Sequence, residues 1–436
     1  MWLWIALAVA LAGAYEDGVA ALKDNRPADA LVYLQQAVAE DELSAQAHWE
    51  LGWAHWSLEN FEFAAREWTR VRELDPNRSE LEHWLTAAET KVALVNGTEE
   101  PELPPAEIPL EPGEGRITFA AAGDTMMGSD LKRGTAGLPP GNGEVIFEDT
   151  APIFKAADIA FVNLEGPLAD GLPSRKCRPD STACYAFRTP TKYAAALTYA
   201  GIDVASLANN HAMDLGGMGQ ESTMKVLDEV GIAHAGRLGD QALLEVNGVK
   251  VVFLAAHVGN CCLNINYMGE LVRAVRLADQ EADLVVLSFH GGAEGTGAQH
   301  VPGKLEIAYG EKRGDVKKAA RAAVDAGADL VLGHGPHVLR AMEVYKGRLI
   351  AYSLANYCGY NQFGTRGATG YTVILSAELA DNGVLVSAKL TPLKHGQSSV
   401  PHPDTEGEAL RLVRELSAAD FPETGVKVAD DGTLSW

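Results

Sequence analysis

Apolar positions along this chain change their period twice. Residues 15–95 carry apolar side chains at helical spacing, the pattern of helices that bury one face. The stretch Asn96–Gly115 (N-G-T-E-E-P-E-L-P-P-A-E-I-P-L-E-P-G-E-G) is acidic and proline-rich, and it predicts an extended, semi-rigid linker. From Arg116 onward, short β-branched runs alternate with helical stretches at Lys192–Ala200, Gly219–Val230 and Val316–Ala326, which reads as an α/β domain over 116–397. Turn residues at Asn247-Gly248, Lys346-Gly347 and Asp381-Asn382-Gly383 sit between pairs of such runs and predict three hairpins. Residues 398–436 are expected to form a helix near Glu406–Ser417 and a tail.

The helical segment repeats itself. Gly18, Ala30 and Leu34 return 34 residues later as Gly52, Ala64 and Trp68, with Pro76 closing the second copy. That period resembles the tetratricopeptide repeat, in which small residues let helices approach closely. A plain helical hairpin is the alternative reading. Ser79–Ala93 predicts a capping helix with Trp84 facing inward. Such stacks present a concave face to a partner peptide, so a protein partner is expected here.

Within the α/β segment, five apolar runs each end on metal-ligand chemistry. They are Ile117–Asp124, Ile159–Glu165, Asp203–His211, Asp283–His290 and Asp329–His337. Runs of this length predict buried strands, and open α/β sheets hold ligands at the carboxyl ends of their strands. The strand ends would deliver Asp124, Glu165, Asn210, His211, His290, His334 and His337 to one rim. Carboxylate, amide oxygen and imidazole together suit Mn, Fe or Zn, as one or two ions.

Charge narrows the partners. A formal net charge of −23 over 436 residues argues against nucleic acid and against electrostatic docking on anionic lipid. An anionic substrate would need local positive charge, which a bound cation can supply. Met1–Ala14 is an uninterrupted apolar segment with small residues at Ala12 and Ala14, the form of a secretory signal; a buried first helix is the alternative. It is too short for a stop-transfer span. Cys177 and Cys184 bracket a short polar loop and are expected to form a disulfide in an exported, periplasmic or extracellular protein. No zinc-finger spacing, dinucleotide fingerprint or G-x-S-x-G elbow occurs, which sets aside those classes.

Seven motifs occur in a fixed order: G-D-T-M-M-G (123–128), N-L-E-G-P (163–167), F-R-T-P (187–190), S-L-A-N-N-H-A-M-D (206–214), F-H-G-G (289–292), G-H-G-P-H (333–337) and Y-S-L-A-N (352–356). As an ordered set they resemble the CapA family, named for poly-γ-glutamate capsule synthesis. That family is similar in fold to calcineurin-like metallophosphoesterases, which implies a four-layer α/β/β/α sandwich with a dinuclear centre between its sheets. Carried over residue by residue, the resemblance makes Asp124 and His337 ligands of a first metal and Glu165 the bridging carboxylate. It makes Asn210, His290 and His334 ligands of a second. His211 becomes the general acid, with Asp214 as its orienting carboxylate. Met126 stands where the phosphoesterase pattern has a histidine, and a thioether binds such ions poorly. Arg188 in F-R-T-P is a candidate anion-binding guanidinium, with a structural salt bridge as its alternative. Asn163 either ligates or holds the Glu165 loop, Asn356 is placed at the pocket rim, and His257 and His300 stand behind the ligands or on the plain surface. The reading is a metal-dependent hydrolase acting on an anionic or polymeric envelope substrate. The alternative is a non-catalytic component of an envelope assembly and export complex, one that could include membrane partners.

Overall fold

The computed structural model describes residues 13–24, 26–96, 106–132, 134–174, 176–177, 184–259 and 261–436. The chain divides into two compact units, Met1–Glu102 and Leu103–Trp436. The signal-like segment lies outside the described residues as far as residue 12; Gly13 and Ala14 open the first helix. Among the described residues no helix is long and apolar enough to cross a membrane.

Among its described residues the first unit has five helices: α1 (Gly13–Lys23), α2 (Pro27–Glu40), α3 (Ala45–Ser57), α4 (Phe61–Leu74) and α5 (Leu81–Asn96). Each packs on the next in sequence. The 34-residue repeat is realised as one contact made twice. A Cβ added to Gly18 would lie 2.5 Å from Leu34, and one added to Gly52 would lie 2.2 Å from Trp68 Nε1. Trp68 is fully buried, donates to the Trp49 carbonyl at 3.2 Å and packs on Trp53, Trp56 and Trp84. Gly52→Val is therefore expected to destabilise this unit by about 1–3 kcal/mol, because the indole is hemmed in and has nowhere to move. Gly18→Ala meets only a flexible leucine and should cost less. Thermal unfolding followed by tryptophan fluorescence checks the contrast.

The second unit is built on β1 (Arg116–Met126), α6 (Ala151–Phe154), β2 (Ile159–Leu164), α7 (Ala194–Ala200), β3 (Val204–Ser206), α8 (Gly216–Glu229), β4 (Ala233–Ala235), β5 (Ala242–Val246), β6 (Val249–His257), β7 (Leu263–Asn264) and α9 (Met268–Glu281). It continues through β8 (Leu284–His290), β9 (Glu306–Ala308), β10 (Glu311–Gly314), α10 (Val316–Asp325), β11 (Leu330–His334), β12 (Met342–Tyr345), β13 (Arg348–Ala351), β14 (Asn356–Gly359), β15 (Tyr371–Ala380), β16 (Leu385–His395), β17 (Pro401–Pro403), α11 (Glu408–Asp420), β18 (Lys427–Val428) and β19 (Leu434–Ser435). One sheet runs β17-β16-β15-β1-β2-β3-β4 with β14 also on β1; the other runs β12-β13-β11-β8-β6-β5 with β7 on β6.

Alternation along each strand builds the layers. Phe119, Ala121, Ile159 and Phe161 face the second sheet and pack with Val251, Phe253, Val286, Leu330 and Leu332. Their neighbours Ala120, Ala122, Ala160 and Val162 face the opposite way, onto Phe154, Ala196, Leu197 and Leu227 of α6, α7 and α8. Helices α9 and α10 pack on β8 and β11. The result is the four-layer α/β/β/α sandwich that the sequence resemblance implied.

Two expectations about the margins are corrected. Part of the proline-rich stretch is not a free linker: the carbonyl of Pro109 accepts from Arg348, and Gly113 N and Gly115 N donate to Asn382 and Asp381 of the β15–β16 turn. Proline removes only the segment's own donors, so the remaining amides and carbonyls are available to dock. Nor is 398–436 merely a helix and a tail. β17 pairs with β16, and Ala409, Leu410 and Val413 of α11 lie in the same core as the sheets.

Candidate metal centre

Strand register places the central carboxylate. Asp124 lies opposite Asn163 of β2 on one side and Asn356 of β14 on the other. β1 changes register just before this point, and Asp124 N donates to the Ala355 carbonyl at 2.9 Å. A Cβ on Gly123 would fall 1.9 Å from that same oxygen, so only glycine permits the approach. In the facing sheet, His334 at the end of β11 is in register with His290 at the end of β8. The two sheets thus present a carboxylate and a pair of imidazoles to each other.

Asp124 is fully buried. It accepts from Asn163 Nδ2 at 2.7 Å, lies 2.9 Å from His337 Nδ1 and 3.5 Å from His290 Nδ1, and takes Gly335 N at 3.3 Å. Burial pushes its carboxyl up, but the hydrogen bonds and charge of His290 and His337 outweigh that and hold it well below the usual range. His337, in a left-handed backbone conformation (φ 58°), spans the site. Its Nδ1 meets Asp124 and Asn356 Oδ1 (2.8 Å), while its Nε2 lies 3.8 Å from Glu165 and 4.0 Å from Glu294. Burial opposes a charge on this ring, yet Glu165, Asp124 and Glu294 carry it up to about 10. His290 Nε2 lies 3.9 Å from Glu165, and burial lowers that ring against the pull of Asp124. Burial lowers His334 to about 4 and raises Glu165 to about 8.

Glu165, His290 and His337 each offer one ligand atom within 4.8 Å of the others. Among the described residues, both Glu165 oxygens, His290 Nε2, both His334 nitrogens and Asn210 Oδ1 are buried with no hydrogen-bond partner. An unsatisfied buried polar atom costs about 1–3 kcal/mol, so such a group of atoms needs a further partner. A divalent cation suits oxygen and imidazole donors of this kind, and the side chains fit it. Glu165 lies within 4 Å of both His290 and His337, where a carboxylate shared between two ions would stand, and His334 Nδ1 lies 3.7 Å from Asp124. Metal uptake must displace the protons that Glu165 and His337 hold near neutrality. Affinity is therefore expected to strengthen as pH rises toward the mildly alkaline range, with protons released on binding. Chelator competition across that range, with calorimetry in buffers of different ionisation enthalpy, measures both.

His211 stands on the loop after β3. Its Nδ1 lies 2.7 Å from Asp214 Oδ2, its ring packs 4.2 Å from Phe187, and burial lowers it despite Asp214. Asp214 is buried and also accepts from Phe187 N at 2.7 Å. Arg188 directs its guanidinium to Asp130 (2.7 Å) and the Leu172 carbonyl (2.6 Å), the salt bridge weighed as its alternative. Met126 Sδ accepts from Gly128 N. His300 is an exposed partner of Asp420, whereas His257 is buried with its ring 5.5 Å from His290.

Sequence reading missed Asn209, Glu294 and Lys176. Asn209, not its neighbour, is the splint: Nδ2 reaches Asn163 Oδ1 and the Leu164 carbonyl, and Oδ1 takes His211 N. Adjacent asparagines offer no local signal for which faces inward. Glu294, held by Arg313 at 2.6 Å, follows the F-H-G-G motif by two residues, a signal that was available. Cys177 and Cys184 are disulfide-bonded, with Cα atoms 5.5 Å apart.

A four-layer sandwich with carboxylates and imidazoles converging from the strand ends of both sheets defines an α/β protein with a candidate metal centre. The profile of the bacterial capsule synthesis protein PGA_cap matches residues 118–360, and the chain belongs to that family. It is 29% identical over 329 residues to the capsule biosynthesis protein CapA of Bacillus anthracis, covering 69% of this chain and 73% of that one. It is likewise 29% identical over 322 residues to the PGA biosynthesis protein CapA of Bacillus subtilis strain 168, covering 69% and 78%. A 5'-nucleotidase precursor from Thermus thermophilus overlaps 70% of this chain and 59% of its own at 12% identity and a TM-score of 0.37, too little to carry an argument.

Proposed function

We propose that this protein is an exported metal-dependent hydrolase, of phosphoester or amide bonds, that works in the assembly of an anionic envelope polymer of the capsular polyglutamate kind. The carrying observation is the set of buried, unpartnered donor atoms on Glu165, His290, His334 and Asn210. Glu165, His290 and His337 would hold one divalent ion; Asp124 and His334, 3.7 Å apart, would be donors for a second, with the unpartnered Oδ1 of Asn210 available to complete it. Such an ion supplies Lewis-acid polarisation of the scissile group and activates water near neutral pH. Asn163, Asn356 and Asp124 fix the ring orientations of His290 and His337, as partners behind metal-binding imidazoles do. His211, oriented by Asp214, delivers the proton to the leaving group. Export is supported by the apolar amino terminus and the disulfide. The repeated Gly18–Leu34 and Gly52–Trp68 packing supports a tetratricopeptide-type module that recruits a protein partner.

A second reading, polymer binding without turnover, is favoured by Met126, whose thioether faces a backbone amide where the phosphoesterase pattern has an imidazole. Elemental analysis of the purified protein, paired with turnover of an aryl phosphate and a γ-glutamyl anilide, separates the two. Bound metal with turnover of either supports hydrolysis. Polyglutamate binding without turnover supports the second reading, and protein that binds no divalent metal overturns the first.

A further inference from the structure

Lys176 immediately precedes the disulfide and reaches back to the loop that carries His211. Its Nζ donates to the Asn210 carbonyl at 2.8 Å and to Asp214 Oδ1 at 2.5 Å, and lies 3.4 Å from His211 Nδ1. Asp214 divides its oxygens: Oδ1 takes the lysine, while Oδ2 takes the imidazole and Phe187 N. The side chain of Asp214 is fully buried, and a carboxylate in that position needs a paired cation to offset its lost hydration. Lys176 is that cation. The segment is pinned again by Ser174 Oγ on the Asp214 carbonyl at 2.7 Å, and beyond the disulfide by Lys132 Nζ on the Cys184 carbonyl at 2.9 Å.

Holding a long lysine side chain in one geometry costs about 1.5–2 kcal/mol of rotamer freedom, and ordering its backbone costs more. The Cys177–Cys184 bond sits one residue away and constrains that backbone before any contact forms. We propose that Lys176 is a positioning residue for the His211–Asp214 pair, and that the Cys177–Cys184 disulfide holds it there, so that this limb of the site is fully assembled only in the oxidised protein. The assignment of His211 as proton donor rests on the proposed function; the placement of its ring does not.

The test uses full-length protein labelled with [15N]histidine, with His211→Ala identifying the His211 ring signals. In the wild type these should report a proton fixed on Nδ1. Lys176→Ala and the double variant Cys177→Ser/Cys184→Ser should both lose that fixed signal to averaging, while Lys176→Arg retains it. The Lys176 side chain is 32% exposed, so water can enter where it is removed and partly replace it at Asp214, and Lys176→Gln, which keeps a donor there without the charge, serves if the alanine variant fails to fold. A Lys176→Ala protein with wild-type His211 signals overturns the proposal. Wild-type signals in the double serine variant alone overturn the part assigned to the disulfide. With an aryl phosphate as substrate, Lys176→Ala should lower kcat roughly 10- to 100-fold with KM unchanged. A wild type without turnover would count against the hydrolase reading, while the ring signals still decide this one.

Discussion

His290→Ala protein is expected to lose its divalent metal on purification, whereas His211→Ala protein keeps the metal and loses turnover. His290 Nε2 is one of three ligand atoms grouped within 4.8 Å, and its removal leaves only Glu165 and His337 there. Even partners that merely orient a metal-binding imidazole are worth roughly 10- to 100-fold in affinity, so a direct ligand should cost more. His211 instead commits its Nδ1 to Asp214, and its loss should reduce turnover roughly 10²- to 10⁴-fold, the usual contribution of a positioned proton donor. His334→Ala separates one ion from two, because its nearest charged partner is Asp124 at 3.7 Å rather than Glu165. Metal stoichiometry by elemental analysis reads all three. Full stoichiometry in His290→Ala would place the ion elsewhere, and metal loss in His211→Ala would make that residue a ligand.

Arg340→Ala should be the most destabilising substitution outside the metal centre, at about 3–5 kcal/mol. Arg340 is fully buried and forks onto both oxygens of Glu306 at 2.9 and 2.7 Å, while also donating to the carbonyls of Ala298 and Ala293. Alanine would leave a buried carboxylate and two carbonyls without their donor. Lysine should not rescue it, since a single ammonium cannot reproduce the fork. The damage should reach the centre, because Ala293 adjoins Glu294, which faces His337. Replacing both partners, as in Arg340→Met with Glu306→Gln, should cost less than the single change, since no charge is then left unpaired. Thermal unfolding at fixed metal concentration measures the series, and a loss under about 1 kcal/mol in Arg340→Ala would refute this account.

The strands that carry the site were legible because their signal is local. A buried strand is a short apolar run: β8 and β11 end on His290 and His334 as their runs do, β1 carries Asp124 two residues before its end, and β2 stops one residue short of Glu165. The turns at Asn247-Gly248 and Lys346-Gly347 have both tips at positive φ, a property of the tip residues themselves, so their hairpins were legible too. The helical repeat and the short-loop disulfide belong to the same class. What the tertiary structure alone decided depends on register between distant segments. Which face of His337 meets Asp124 and which meets Glu165 follows from strands far apart in the chain sharing one rim. The choice of Asn209 over Asn210 as splint, the docking of 109–115 on the β15–β16 turn, and the reach of Lys176 to Asp214 have the same origin. Each rests on two or three hydrogen bonds across the fold, worth about 1 kcal/mol apiece, and these leave no periodic trace in the chain. Sequence determined the donors and the order in which strands present them; packing of the two sheets decided which donor atoms meet.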